Sequence, residues 1–233
     1  MTTLTERLNT VRQRIARAEQ AAGRPAGSVT LLAVSKTQPA AALAEAFALG
    51  QRAFGESYLQ EAEAKIAALA DKPIQWHFIG PIQSNKTRLI SRLFDWVHGI
   101  DRLKVAQRLN DQRPAELAPL NVCVQVNISG EASKAGISTD ELSELAAAIR
   151  PLSRLRLRGL MTLPASSPDP DEQRLAFRQL RRCLEQLNRT QGLQLDTLSM
   201  GMTQDLEAAI AEGATIVRVG TGIFGPRRDN KAR

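Results

Sequence analysis

The chain has 233 residues, 43% hydrophobic, 4% aromatic and 24% charged, with a formal net charge of +7. That apolar share supplies a full core, no run approaches the length of a membrane span, and the charged stretch Met1 to Arg14 is unlike a secretory leader. Cys123 and Cys183 have neither disulfide-framework nor zinc spacing, so a reduced, cytoplasmic protein without membrane attachment or bound metal is expected.

An isoelectric point of about 10.0 raises nucleic acid as a partner. Against it, arginines such as Arg150, Arg154, Arg174, Arg178 and Arg181 are scattered along helices and interleaved with acids. Few aromatic rings are available to stack on single strands. The positive charge therefore reads as a solvated surface.

In chain order, the first element is a helix. Leu4, Leu8, Val11 and Ile15 recur at helical spacing, Thr3 with Glu6 makes a capping box, and Gly23 and Pro25 stop it. Strand and helix then alternate. Strands are predicted at 29–35, 52–55, 74–79, 94–99, 120–127, 155–161, 195–199 and 215–220. Helices are predicted at 40–50, 57–70, 84–93, 101–112, 139–150, 171–189 and 203–212. Asp101, Thr139-Asp140 and Thr203 are the expected caps. Strand–helix units repeated in this way point to a single (β/α)8 TIM-type barrel over residues 1–233, with an extra N-terminal helix, somewhat shorter than the usual ~250 residues. A doubly wound sheet is the alternative, but such sheets seldom need as many strands. Residues 227–233 read as a flexible tail. The irregular stretches 128–138 and 164–170 follow strands and should overlie the barrel mouth.

The chemistry-bearing residues begin with Lys36, which ends the β run Leu31-Leu32-Ala33-Val34-Ser35. In parallel α/β folds the C-terminal strand ends carry the chemistry. A lysine there with an apolar-walled stem loses hydration, its pKa falls, and the free amine can attack a carbonyl to form an imine. From this stretch alone a solvated lysine past a strand is the default. His77 lies between Trp76 and Phe78 and by alternation points inward; it and His98 read as satisfied core histidines when taken singly. Asn127 is expected to share the barrel interior with Gln125, and Lys134 to be exposed.

After strand 7, Ser199-Met200-Gly201-Met202-Thr203 offers a hydroxyl, a glycine and a helix start. After strand 8, Gly220-Thr221-Gly222-Ile223-Phe224-Gly225 matches the dinucleotide fingerprint, yet only eight residues follow Gly225, too few for a βαβ unit. Glycines at the end of a last barrel strand instead let backbone N–H groups approach an anion, and the loops after strands 7 and 8 are the common phosphate site of barrels. Arg218, two residues before Gly220, has the parity to point into the barrel top. A buried arginine takes either a ligand or a structural partner. A lysine on strand 1, a phosphate cradle and an inward arginine together fit a phosphorylated aldehyde held as a Schiff base, which is pyridoxal 5'-phosphate.

The chain resembles the pyridoxal phosphate homeostasis protein family, related to the N-terminal barrel of alanine racemase. The resemblance rests on Leu31 to Thr37, Phe54-Gly55-Glu56, Trp76-His77-Phe78-Ile79-Gly80, Gln83-Ser84-Asn85-Lys86, Arg158-Gly159-Leu160-Met161, Ser199-Met200-Gly201-Met202 and Arg218-Val219-Gly220-Thr221. It implies an alanine-racemase-like barrel carrying the cofactor on Lys36. It also implies that Ser199, Gly201, Gly220 and Thr221 hold the phosphate and that Arg218 faces the pyridine nitrogen. His77 and Met200 complete the candidate cofactor-binding set. Ser57 and Gln38 depart from the family pattern, which usually has an asparagine and a lysine there, while Thr203 keeps a hydroxyl where serine is usual.

Family members are understood as intracellular carriers or regulators of pyridoxal phosphate, with apo-enzymes that use the cofactor as recipients. A monomer is expected. Two alternatives stay open: a pyridoxal phosphate enzyme such as an amino-acid racemase with weak activity, and an aldolase-type lyase using Lys36 directly. The racemase relatives use a tyrosine as second base, reached through a further domain, whereas Tyr58 is the one tyrosine here and packing explains it. An arginine at the ring nitrogen only donates hydrogen bonds, which disfavours the protonated ring that carbanion chemistry needs. The aldolase reading lacks an acid–base partner beside Lys36. The carrier reading is preferred.

Overall fold

The computed structural model describes residues 2–131 and 134–226; the expected tail 227–233 lies outside them. Helix α1 (Leu4–Ala21) begins on the expected capping box, in which Thr3 Oγ1 accepts from Glu6 N and Glu6 Oε2 accepts from Thr3 N. The chain then runs through β1 (Thr30–Val34), α2 (Ala40–Ala48), β2 (Ala53–Glu56), α3 (Leu59–Ala68), β3 (Gln75–Phe78), and a 3-10 turn (Ser84–Lys86) leading into α4 (Thr87–Leu93). It continues with β4 (Trp96–Ile100), α5 (Leu103–Gln112), β5 (Leu120–Gln125), α6 (Leu142–Ile149), β6 (Leu155–Met161) and α7 (Pro170–Gln191). The last elements are β7 (Thr197–Ser199), α8 (Leu206–Ala211), β8 (Ile216–Val219) and α9 (Thr221–Phe224).

The strands form a closed parallel barrel, and β8 returns to pair with β1. Two apolar layers follow from strand alternation. Phe54, Val97, Val122, Leu160 and Val217 face outward and pack under the helices. Leu32, Ala53, Trp96, Cys123, Met161 and Ile216 fill the barrel itself. Arg218 stands in register with Leu32, which puts it on the inward face. Gly159 pairs with Thr197 across β6 and β7, and a Cβ there would collide with Thr197 O.

Helix α9 has four residues and is too short to cover the seam between β8 and β1. Helix α1 takes that place, packing on α2, α8 and α9 with Leu8, Val11 and Ile15 buried. It is the barrel's missing eighth helix, supplied from the other end of the chain.

Three expected caps are placed differently. Helix α5 starts after Arg102, and Asp101 pairs with that arginine instead of capping. Before α6 the capping pair is Ser138 with Glu141, since Glu141 Oε2 accepts from Ser138 N and Ser138 Oγ accepts from Glu141 N. Helix α8 starts after Asp205, not at Thr203. Among the described residues no helix is long and apolar enough to cross a membrane.

Candidate functional site

The C-terminal ends of the strands surround a cavity of about 300 Å³. Strand β1 contributes Val34, and the turn after it contributes Lys36. The loop after β6 contributes Leu163, Ser166 and Ser167, and the loop after β7 runs from Met202 to Asp205 along its wall. Strand β8 and its loop bring Arg218, Gly220 and Thr221. Lys36, Arg218, Gly220 and Thr221, drawn from opposite ends of the sequence, thus meet in one space.

Thr37, the residue after Lys36, has φ 65°. A β-branched residue in the left-handed region is strained by roughly 1–3 kcal/mol and persists only where its surroundings hold it. Here Thr37 N donates to Glu61 Oε2 at 2.8 Å. Gly201 takes φ 93° for a different reason: it carries the chain away from β7, and a Cβ there would strike Ala209 Cβ at 2.5 Å.

His77, Ser199 and Arg218 belong to a buried polar chain below the cavity. Arg218 NH1 donates to Ser199 Oγ at 2.8 Å, and NH2 donates to Thr162 O at 2.8 Å. Ser199 Oγ lies 2.7 Å from His98 Nδ1, His98 Nε2 lies 2.9 Å from His77 Nδ1, and His77 Nε2 lies 3.0 Å from Gln75 Oε1. Arginine can only donate and the amide oxygen can only accept, so the direction is forced. Ser199 donates to His98, His98 donates through Nε2 to His77, and His77 donates through Nε2 to Gln75. Both imidazoles are then neutral with defined tautomers. A further proton on His77 would set its Nδ1–H against the Nε2–H of His98. Burial pushes His77 down to about 3. His98 is also driven well down, by burial first and then by the unfavourable company its charged form would have in His77 and Arg218. Burial lowers Arg218 to about 10, which leaves it cationic at neutral pH.

The Ser199 hydroxyl is therefore committed to His98 and Arg218 within the barrel. Met200 is fully buried in the outer apolar layer. The hydroxyls that line the cavity are Thr203, Thr221, Ser57, Ser166 and Ser167, with Thr203 Oγ1 and Thr221 Oγ1 3.3 Å apart. Sequence reasoning made Thr203 a cap and overlooked Ser166, Ser167 and Gln173. The two serines show in the sequence only as a Ser-Ser pair in a loop over the barrel mouth, and Gln173 lies in the first turn of α7. Asn127 lies past the end of β5, and its amide ties down the following loop through Glu131 O. Lys134 is half-buried and paired with Glu131 at 3.1 Å, in place of the exposed lysine expected. Among the described residues no group of His, Cys, Asp and Glu is placed to hold a metal ion.

Residues 7–228 match the family described as alanine racemase, N-terminal domain. Over 227 residues the chain is 60% identical to the pyridoxal phosphate homeostasis protein of Pseudomonas aeruginosa, covering 97% of each. The chain belongs to the pyridoxal phosphate homeostasis protein family. The member from Escherichia coli K12 is 53% identical over 234 residues, which is 99% of this chain and 100% of that one. Among solved structures, PipY of Synechococcus elongatus with PLP bound is 37% identical with a TM-score of 0.83, covering 96% of this chain and 100% of its own. An alanine racemase from Corynebacterium glutamicum shares the fold at 20% identity and a TM-score of 0.66, and this chain spans 63% of its length. The family membership and the alanine-racemase-like barrel read from the sequence both hold.

Proposed function

We propose that the chain binds pyridoxal 5'-phosphate as a Schiff base on Lys36 and acts as an intracellular carrier or regulator of that cofactor. The observation that carries this reading is the meeting of Lys36, Arg218, Gly220 and Thr221 around one cavity. Its volume is at the small end of ordinary ligand sites, ~300–1,000 Å³. The donor set fits the group. Lys36 supplies an amine for an aldehyde, Arg218 lines the same space, and Thr203 and Thr221 with Gly220 supply hydroxyl and backbone groups for a phosphate. PipY, 37% identical, is described with PLP bound. When bound, the cofactor supplies a reactive carbonyl and an electron-accepting ring.

The chain's own residues favour holding it over using it. Arg218 is cationic and can only donate, so it opposes a proton on a ring nitrogen placed against it. It is fixed in that state by Ser199 and Thr162, and the neutral histidines behind it accept nothing from the cavity. Tyr58 is half exposed at the start of α3, outside the cavity lining, and is not set to serve as a second base. Delivery to apo-enzymes, a cytoplasmic location and a monomeric state complete the proposal.

The test is the absorbance spectrum of the purified protein before and after borohydride, followed by peptide mapping. The pyridoxyl group is expected on Lys36. A reduced adduct mainly on Lys134 or Lys86 would overturn the assignment.

A further inference from the structure

Glu56, Lys65 and Glu61 form an ion network just outside the barrel, between β2 and α3. Glu56 is fully buried and Lys65 nearly so. Lys65 Nζ lies 2.9 Å from Glu56 Oε1, 3.1 Å from Glu56 Oε2 and 3.2 Å from Glu61 Oε2. Burying such a network costs more desolvation than an apolar contact would, so stability alone is a weak reason for it.

The remaining bonds of the network share one destination. Lys65 Nζ donates to Ser35 O at 2.8 Å, and Glu56 Oε1 accepts from Ser35 Oγ at 2.6 Å. Glu61 Oε2 accepts from Thr37 N at 2.8 Å. Ser35 and Thr37 are the two neighbours of Lys36. The peptide before the lysine is held by an ammonium, and the peptide after it by a carboxylate. Lys65 bridges the two clamps, because its ammonium touches both acids. The segment so held includes Thr37 in its left-handed conformation, which an unrestrained chain would leave.

We infer that the Glu56–Lys65–Glu61 network positions Lys36, fixing the backbone on both sides of the lysine so that its amine is presented to the cavity. The three residues are positioning residues: they act through Ser35 and Thr37. This inference rests on the reading of Lys36 as the Schiff-base lysine.

Glu61 is the residue to vary, because its side chain is partly exposed and the change need not unfold the protein. Glu61→Ala removes the acceptor for Thr37 N, whereas Glu61→Gln keeps an amide oxygen that can accept and loses the charge. A double variant, Glu56→Gln with Lys65→Met, removes the buried charges at nearly constant volume.

Two readouts are used on the full chain. The first, without cofactor, is the rate at which acetic anhydride modifies Lys36 relative to Lys72, together with hydrogen exchange at Thr37 N–H. The second is the association rate of pyridoxal 5'-phosphate with Lys36, fixed by borohydride and mapped by mass. Glu61→Ala should slow Schiff-base formation about tenfold, since small misplacements of a reacting group carry penalties of that order or more. It should also speed exchange at Thr37 and change the relative acetylation of Lys36. Glu61→Gln should restore most of the parent behaviour.

Equal association and acetylation in Glu61→Ala and the parent would overturn the inference. So would an equal loss in Glu61→Gln, which would assign the effect to charge and not to the Thr37 anchor. If the double variant does not fold, the Glu61 pair decides alone. Borohydride mapping of the parent separates the two readings. A parent not labelled on Lys36 refutes the Schiff-base assignment itself. A parent labelled there, with unaltered Glu61→Ala, refutes only the positioning role.

Discussion

The buried histidine pair makes acid a specific perturbation of this barrel. The chain has two histidines, so no other imidazole titrates between pH 7 and 5. In the unfolded chain each takes a proton near 6.5, whereas in the folded barrel His77 resists until about 3 and His98 is also far depressed. The sign follows directly: the stabilisation is complete above 6.5 and is lost as pH falls, because the unfolded state then binds more protons. A histidine that stays neutral in the folded state while its unfolded counterpart takes a proton costs roughly 2 kcal/mol between pH 7 and 5, and two such groups roughly twice that. That is a large share of an ordinary stability of ~5–15 kcal/mol. With a urea slope of about 3 kcal/mol per molar, the unfolding midpoint should drop by more than ~1 M. Glu56 works in the opposite sense, because burial pushes its carboxyl upward and gives the folded state a proton as pH falls. Urea titrations of cofactor-free protein at both pH values, repeated on His77→Gln and His98→Gln, isolate the histidines. Each variant should lose about half of the parent's pH effect, roughly 2 kcal/mol, whatever its own stability. A parent that loses less than ~1 kcal/mol, or variants that lose as much as the parent, would refute the neutral one-way chain.

Other outcomes are equally specific. Pyridoxal 5'-phosphate should bind at least ~10-fold more tightly than pyridoxal, because a single charge-assisted bond contributes roughly 1.5–3 kcal/mol; equal affinities by fluorescence titration would remove the phosphate cradle. Arg14 donates to Thr203 O at 2.9 Å and pairs with Glu207 at 2.7 Å. As a half-exposed pair it should contribute under ~1 kcal/mol to stability, yet Arg14→Ala should weaken pyridoxal phosphate binding about threefold by loosening the β7 loop. Unchanged affinity in that variant would disconnect α1 from the cavity. Gly159→Ala should destabilise by more than ~3 kcal/mol, since its Cβ meets the backbone at Thr197 O; a thermal melt like the parent's would contradict the β6–β7 packing. Solvent deuterium exchange at Cα of alanine should stay far below about 1 s⁻¹, and turnover at that rate by NMR would replace the carrier reading with an enzyme.

The barrel was legible because its elements are local. Each strand is a short apolar run and each helix an apolar stripe, and alternation alone places Arg218 and His77 inward. Caps were harder, because several polar residues compete for one helix start. Ser138 with Glu141 has capping-box spacing, but Thr139-Asp140 beside it is equally plausible in one dimension. The site divides along the same line. Lys36, Gly220 and Thr221 could be placed because strand ends face the cavity in this fold. Ser199 shares that position, yet its partners His98 and Arg218 come from other strands, and parity does not say which inward polar groups will meet. Glu61 and Lys65 carry the i,i+4 spacing of a solvated helix pair. Their burial with Glu56 depends on how α3 settles against β2.

Helix α1 links the two loops beside the cavity. A barrel whose last strand is followed by a four-residue helix leaves its β8–β1 seam to be covered from elsewhere. Because α1 covers it, the side chains that hold α1 down are also the ones that touch the loops beside the cavity. Arg7 Nε donates to Ile223 O at 2.6 Å, just beyond Gly220 and Thr221, and Arg14 reaches Thr203 O across from them. Thr203 and Thr221 are themselves in contact. Both segments proposed to hold the phosphate are therefore tied to one helix at the opposite end of the sequence. Their relative position depends on α1 remaining docked, while Lys36 is held separately, by α3. Loosening α1 would relax the loops proposed to hold the phosphate and leave the anchors on either side of Lys36 in place.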